Sequence, residues 1–489
     1  MSIRYLPALR VGSVLFLATP WLIFSVVWPR PLVAAGLLGV LLVTLYGYIS
    51  RGAGFDRATT RADDAGGRST ITLPVAGFIV LVVIGWVSLS GAGGIGYQNL
   101  PDWNNKNVLM NDLLAKPWPV FYGADTVLNY YFALYLPPSL IGKLAGWDAA
   151  QWAMYAYVLI GLMLTMLWLY SYSARLGVVA ILVFVIFGGL DIVGAWLMQR
   201  PPRDWATTIE WWSDRLQFSS NATLLYWVPQ HALSAWLATA LILDEATRQR
   251  RLLYTGLFVA LTFLWSPFSA IGLLPVCLVA LLLAEQKSIM SAANLVLLPL
   301  FAVVTFALYA PHGSGGDLYA DASNWRTHYT PEGLLIIAEF LLLEVGVYLA
   351  CIAACGRALE REWRITALVV AGASVLWVLV PEAVGHGGFN MRASIPTLLL
   401  LFLLVVRVLS LTSHTAVRVA LAVALVIGAD AAAHETFRAI RRRPDTIPAP
   451  RPTYGVLELG KRHTNEFIMP ATSTLYRTFF RSAPIGAPP

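Results

Sequence analysis

Charge is scarce in this chain. Asp, Glu, Lys and Arg together make up 12% of its 489 residues, about half the share of roughly 25% typical of soluble domains. A soluble fold of this length is excluded on that ground, because there is too little charge to cover its surface. Cysteine is scarcer still. Cys277, Cys351 and Cys355 are the only three, and none stands in a C-x-x-C or Cys/His spacing, so neither a disulfide framework nor a zinc site is indicated. Internal repeats are missing, as is a pair of Gly/Pro-interrupted helices at matching places in two halves, which weighs against a repeat-built transporter. The basic N-terminus MSIRYLPALR runs into an apolar stretch without a small-residue cleavage site, and is read as a retained first helix.

What the chain does have is apolar length, at 58% hydrophobic residues. Taking about 20 apolar residues as one membrane crossing, spans fall near 12–28, 31–49, 71–90, 148–172, 177–198, 224–243 and 252–265. Six more follow near 268–284, 292–311, 333–354, 365–381, 395–411 and 415–433. The stretch 252–284 is divided only by Trp265-Ser266-Pro267, so the count is twelve or thirteen. The expected fold is an all-α, polytopic transmembrane helical bundle over 1–433, with interfacial helices in a first large outer loop at 91–147 and a tail at 434–489. From 444 onward that tail is rich in Pro, Thr and Arg, and is expected to pack on the membrane face or to be partly disordered.

Lys and Arg in short loops set orientation. With a cytoplasmic N-terminus, the loops carrying Arg51, Arg57, Arg61 and Arg68, then Arg248, Arg250 and Arg251, then Arg357, Arg361 and Arg364 all fall inside. The same arrangement puts 91–147, 199–223, 312–332 and 382–394 outside, the segments richest in aromatic and polar residues. Thirteen spans also leave the tail outside, although it begins with Arg438, Arg441, Arg442 and Arg443. The net charge of +7 is accounted for by these loops and by lipid headgroups. It does not imply nucleic acid.

Gly91-Ala92-Gly93-Gly94-Ile95-Gly96 has the letters of a dinucleotide fingerprint. It lacks the strand before and the helix after that such a site needs, so it reads as a helix exit. Asp102-Trp103-Asn104-Asn105-Lys106-Asn107 opens an amphipathic pattern carried by Leu109, Met110, Leu113 and Leu114, expected to lie in the outer interface. Asp102 is either its N-cap or a carboxylate base able to take a proton from a hydroxyl. Lys106, one turn on, is near enough to pair with Asp102 or to face an anionic leaving group.

Lys116-Pro117-Trp118-Pro119 and Asn129-Tyr130-Tyr131-Phe132 make an aromatic-rich segment, either an interfacial belt or a sugar platform. His231, in Trp227-Val228-Pro229-Gln230-His231, is either a neutral core residue or a phosphate contact when protonated. Asp191, Glu339, Glu344 and Asp430 fall inside spans, and each needs a partner or a water-filled cavity. Arg392, in His386-Gly387-Gly388-Phe389-Asn390-Met391-Arg392, breaks the inside preference of cations. A phosphate, a lipid headgroup or a carboxylate of the chain would hold it. The sequon Asn221-Ala222-Thr223 matters only in a eukaryotic secretory setting.

In that order, Asp102-Trp103 with Lys106, Trp118-Pro119, Tyr130-Tyr131, Tyr135-Leu136-Pro137-Pro138, Pro229-Gln230-His231 and Asn390-Met391-Arg392-Ala393-Ser394-Ile395-Pro396 resemble a group of poorly characterised bacterial multi-spanning membrane proteins. These are related to the C-type (GT-C) glycosyltransferases, and the resemblance covers about 100–400. It implies a GT-C-like bundle whose first outer loop carries an acidic catalytic residue, with a lipid-linked sugar donor bound at the outer leaflet of the cell inner (cytoplasmic) membrane. On this chain it makes Asp102 the base and puts Lys106, His231 and Arg392 at the donor phosphate. Trp103, Tyr130, Tyr131 and Asn390 would line the substrate. No cofactor is implied. Two departures stand out: Asp102 is followed by Trp103 where many C-type transferases pair acidic residues, and Asn107 stands where relatives carry His. The only adjacent Asp-Glu pair, Asp244-Glu245, falls on the cytoplasmic side, so no metal is assigned. The expected activity is transfer of a sugar from a polyprenyl-phosphate donor to a cell-envelope acceptor. A transporter or flippase of a lipid-linked substrate and a noncatalytic scaffold are the alternatives.

Overall fold

Apolar runs become helices throughout the computed structural model, which describes residues 2–52, 69–99, 102–173, 175–202, 204–205, 207–213, 216–284, 289–310, 329–380, 388–442 and 444–483. Arg57, Arg61, Arg68, Pro101, 312–328, 382–387, Arg443 and 484–489 lie outside the described residues. The bundle opens with α1 (Leu6–Val27), α2 (Pro31–Gly52) and α3 (Leu73–Leu89). The first outer segment then gives α4 (Asp102–Ala115) and α5 (Leu136–Ala145), followed by the long α6 (Trp147–Tyr172). Next come α7 (Val178–Ile186), α8 (Asp191–Leu197), α9 (Asn221–Trp227), α10 (Pro229–Leu243), α11 (Thr255–Thr262), α12 (Pro267–Gly272) and α13 (Leu274–Leu283). The second half adds α14 (Leu298–Tyr309), α15 (Pro331–Leu341), α16 (Val347–Ala354), α17 (Arg361–Leu379), α18 (Gly388–Leu411) and α19 (Thr415–Arg441), with α20 (Lys461–Phe467) and α21 (Thr474–Phe479) in the tail.

Among the described residues, eight helical segments are long and apolar enough to cross a membrane: Leu6–Val27, Pro31–Ser50, Trp147–Tyr172, Val178–Leu197, Pro331–Ala354, Arg361–Leu379, Gly388–Leu411 and Thr415–Arg441. Three further expected spans fall on shorter apolar helices, Leu73–Leu89, Pro267–Leu283 and Ala293–Tyr309. The expected span at 224–243 is broken at Val228, ahead of Pro229, because proline has no amide hydrogen to continue a helix. The chain is thus an all-α membrane bundle, several of whose expected spans are interrupted.

Every residue of α10 is buried, and α18 is buried over most of its length. A helix buried on nearly every face is one enclosed by others, so these two packed helices are the axis of the bundle. At one end, β1 (Ser2–Arg4) pairs antiparallel with β2 (Thr70–Thr72). There Arg10 grips Asp244 through two hydrogen bonds of 2.7 and 2.9 Å, and Arg250 meets Glu362 at 3.3 Å. The basic loops assigned to one side by sequence share this end wherever they are described. At the other end Trp28, just past α1, stacks near Trp118 and Phe132 with centroids 5.4 and 5.5 Å away. Pro29 bridges to Phe480 there, so Ser2–Arg4 and Phe480 lie at opposite ends.

The tail is folded onto the first outer segment. β3 (Phe121–Tyr122), β4 (Thr126–Leu128) and β5 (Ile468–Pro470) form one antiparallel sheet. The helix α4 was expected to present its polar face to the interface, but that face is covered by chain. Arg451 Nε donates to Asn111 Oδ1 at 2.7 Å, and the Asn111 amide donates to the Tyr454 carbonyl at 3.1 Å. Asp112 accepts from Tyr122 Oη at 2.5 Å and Val456 N at 3.0 Å. Asn104 accepts from Tyr454 Oη at 3.1 Å and the Asn107 amide donates to Gln98 Oε1 at 2.8 Å, so this polar face is satisfied by protein. Gly94 has φ +68°, and a Cβ there would collide with the backbone of Ala449. The glycine-rich exit thus serves chain packing and not a pyrophosphate.

Candidate functional site

The N-terminal turns of α10 and α18 start at the same end of the bundle and bring His231 and Arg392 into contact. Arg392 Nε donates to His231 Nε2 at 3.0 Å, and Arg392 Nη1 donates to the Gly388 carbonyl at 2.7 Å. With Nε2 accepting, the His231 ring proton is assigned to Nδ1. That nitrogen is buried without a partner in the protein. Tyr131 lies against both groups, its ring centroid 5.0 Å from that of His231 and 5.9 Å from the Arg392 guanidinium carbon. Among the described residues no carboxylate pairs with Arg392, which removes one of the readings that sequence left open.

Lys106 reaches the same region from α4. Its side chain is buried, its Nζ donates to the Trp227 carbonyl, and it lies 4.9 Å from the Trp103 ring centroid. Trp103 is fixed in turn, its indole N–H donating to the Tyr226 carbonyl at 2.7 Å. Among the described residues Lys106 and Asp102 form no direct ion pair, although the Asp102 carboxylate acts on Lys106 from a distance. Burial lowers the Lys106 pKa to about 8, the Asp102 carboxylate opposes that, and the Arg392 guanidinium adds to it. Two cations are thus held in one partly dry region by neutral acceptors alone.

Asp102 opens α4 and is half-buried. Tyr130 links it to the cations, because its hydroxyl feels the Arg392 guanidinium and the Asp102 carboxylate together, with burial the larger influence raising its pKa. Tyr130 packs on Tyr131 at 5.0 Å and on Phe467 of the tail at 4.4 Å between centroids. Asn390, two residues before Arg392 on α18, is buried with both amide atoms unpartnered, as is Gln230 beside His231. Buried amides without partners are rare in folded proteins, and these two stand on the same first turns that carry His231 and Arg392. The structure therefore gathers Lys106, His231, Arg392, Tyr130 and Tyr131 into one site, with Trp103 beneath Lys106 and Asp102 at its edge.

The intramembrane acids divide differently. Asp430 approaches His434 at 3.5 Å, while Asp191 and Glu344 come within hydrogen-bonding reach of each other. Glu210, in a segment that sequence placed outside the membrane, is buried beside them. Among the described residues no group of three or more His, Cys, Asp or Glu is arranged to hold a metal ion.

This architecture defines a multi-pass helical membrane protein. Compared with known proteins, the chain matches no family model, no curated protein and no solved structure.

Proposed function

We propose that the chain is a membrane glycosyltransferase that takes a sugar from a polyprenyl-phosphate donor and passes it to a cell-envelope acceptor on the extracytoplasmic face. The observation that carries this reading is the pair of cations, buried Lys106 and half-buried Arg392, held by the Trp227 carbonyl and by His231, with no carboxylate in an ion pair with either among the described residues. Buried charge without a counter-charge is costly, and an anionic ligand removes that cost. The N-termini of α4, α10 and α18 add positive potential at the same place.

In this reading the residues divide the reaction among them. The acceptor oxygen bonds to the anomeric carbon of the sugar as the bond from that carbon to the phosphate oxygen breaks. The acceptor proton passes to the Asp102 carboxylate. The bonding electrons leave with the phosphate, and the polyprenyl phosphate dianion forms against Lys106 and Arg392. Tyr130 and Tyr131, both half-buried, supply faces on which a sugar ring stacks, and Asn390 supplies an amide for its hydroxyls. Trp103, expected from sequence to line the substrate, is wholly buried beneath Lys106 and supports the lysine instead.

The test is reconstitution of the full chain in liposomes with a panel of polyprenyl-phosphate-linked sugars. Release of polyprenyl phosphate is expected from wild type and not from Arg392→Ala. Equal release from both overturns the proposal. A flippase is the second reading, favoured by the unwound residues 187–190 within the apolar segment Val178–Leu197. It predicts movement of the donor between leaflets with no new glycoside.

A further inference from the structure

A second buried cluster, Asp191, Glu210 and Glu344, gathers acids where the bundle helices are interrupted. Residues 178–197 form α7 and α8 with residues 187–190 unwound between them. Opposite that break the helical segment Pro331–Ala354 loosens into a wide turn over Leu342–Gly346, which carries Glu344. The two irregular stretches are joined, Leu190 N donating to the Leu343 carbonyl at 3.2 Å. Gly189 makes the room, since a Cβ there would collide with Glu344 Oε2.

Asp191, Glu210 and Glu344 are each 2% exposed. Their donors are all neutral. Trp212 Nε1 donates to Glu344 at 3.1 Å. Glu210 accepts from Ser220 N at 2.9 Å, Thr223 Oγ1 at 2.6 Å and Gln217 Nε2 at 3.2 Å. Among the described residues no Lys, Arg or His forms an ion pair with any of the three. A separate observation points to a ligand: Asp191 Oδ2 and Glu344 Oε2 are buried with no donor, although the two side chains face each other within hydrogen-bonding reach. Adjacent buried carboxylates cannot both stay ionised, and leaving each charge in the bundle uncompensated costs several kcal/mol. Other groups nearby do not supply the missing charge. The Tyr348 hydroxyl is spent on the Gly188 carbonyl at 3.0 Å, Cys351 is uncharged, and Glu435 is itself paired with Arg438 at 3.2 Å.

We propose that Asp191 and Glu344 form an exchange site for one monovalent cation, a proton or a sodium ion, held between Asp191 Oδ2 and Glu344 Oε2 at the break in the membrane span. Interrupted helices supply such sites because their free ends and turns bring polar groups to membrane depth. The site stands independently of the transferase reading.

The test uses the full chain in nanodiscs of zwitterionic lipid, with thermal unfolding followed in two series. One series varies pH in sodium-free choline chloride, and the other replaces choline by sodium at fixed pH and ionic strength. A bound proton makes the midpoint fall as pH rises, and Asp191→Asn or Glu344→Gln removes that fall because the amide mimics the protonated acid. A bound sodium ion raises the midpoint in the second series, and the same substitutions abolish the rise. Lys106 contributes a pH slope of opposite sign that both variants keep, so the comparison isolates the acids. A wild type indifferent to both series, or variants as responsive as wild type, overturns the proposal. Should the variants fail to fold, infrared spectra of wild type decide: a protonated carboxyl band that shifts in D2O, or a carboxylate band that changes with sodium, is expected, and absence of both overturns it.

Discussion

Arg392 Nε lies 3.0 Å from His231 Nε2, so the histidine that could have met a phosphate directly acts first as the acceptor that aims the guanidinium. Arg392→Lys keeps the charge and loses this fork geometry. Binding of polyprenyl phosphate to the nanodisc-embedded chain is expected to weaken about tenfold, or ~1.4 kcal/mol, close to the lower end for a charged hydrogen bond. His231→Ala should weaken it by a similar factor, and the double variant by little more than either alone, because both changes release the same group. Strictly additive losses in an equilibrium binding assay would mean that the two residues act separately.

Lys106 gives a pH signature with two opposite senses. Its folded value is about 8 against an ordinary 10.5. Between those values the unfolded chain holds a proton that the folded chain lacks, so stability should rise with pH across this window. Lys106→Met should flatten that part of the curve in thermal unfolding. Anion binding runs the other way: it depends on the ammonium form, and should fall as pH passes about 8. A binding curve flat from pH 7 to about 10 would remove Lys106 from the phosphate site, since a lysine that matters must titrate in that range.

Length and apolar pattern made the membrane bundle legible, because every crossing needs its own apolar run. The sequence also singled out Lys106, His231 and Arg392, each with an ordinary structural reading beside the functional one, and only the fold brings them to one region. What was not legible depended on partners. The polar face of α4 looked solvent-directed, because Arg451, Tyr454 and Val456, which cover it, stand more than 300 residues away. Gly188-Gly189 was the visible signal for the break in the fifth span, but two glycines in an apolar run read equally well as a helix packed closely on a neighbour. Glu210 carried no signal of its own, and only the fold takes it to Asp191.

Asp244 holds the opposite end together. It accepts from Arg10 at 2.7 and 2.9 Å and from Arg248 at 3.2 Å, all within the bundle. Asp244→Ala removes the carboxylate that two guanidiniums share, and is expected to cost about 3–5 kcal/mol. Denaturant unfolding in detergent measures this directly. A loss below about 1 kcal/mol would mean that water or lipid phosphate replaces the carboxylate, as it does at exposed pairs.

The tail predicts a truncation phenotype. Removing residues 444–489 takes away the Val456 amide and the Arg451 and Tyr454 groups that satisfy Asp112 and Asn111. It also takes Phe467 from the face of Tyr130. The expected result is a lower unfolding midpoint with new proteolytic cleavage in 102–115, read by mass spectrometry of limited digests. Unchanged protection of α4 would show that the tail is dispensable to the site wall.

Asp102 separates a structural role from a chemical one, because the two tolerate different substitutions. Asn starts a helix about as well as Asp, so Asp102→Asn should leave the unfolding midpoint close to that of wild type if α4 needs only a polar first residue. An amide cannot take up the acceptor proton, so the same change should lower sugar transfer about 10²–10⁴-fold if the carboxylate is the base. Donor binding should survive, since Lys106 and Arg392 remain in place. Assaying binding, stability and transfer on this one variant therefore divides the readings. Normal transfer with normal stability assigns Asp102 to the start of α4 and moves the base elsewhere on the outer face, whereas lost transfer with intact binding places it at the reacting hydroxyl.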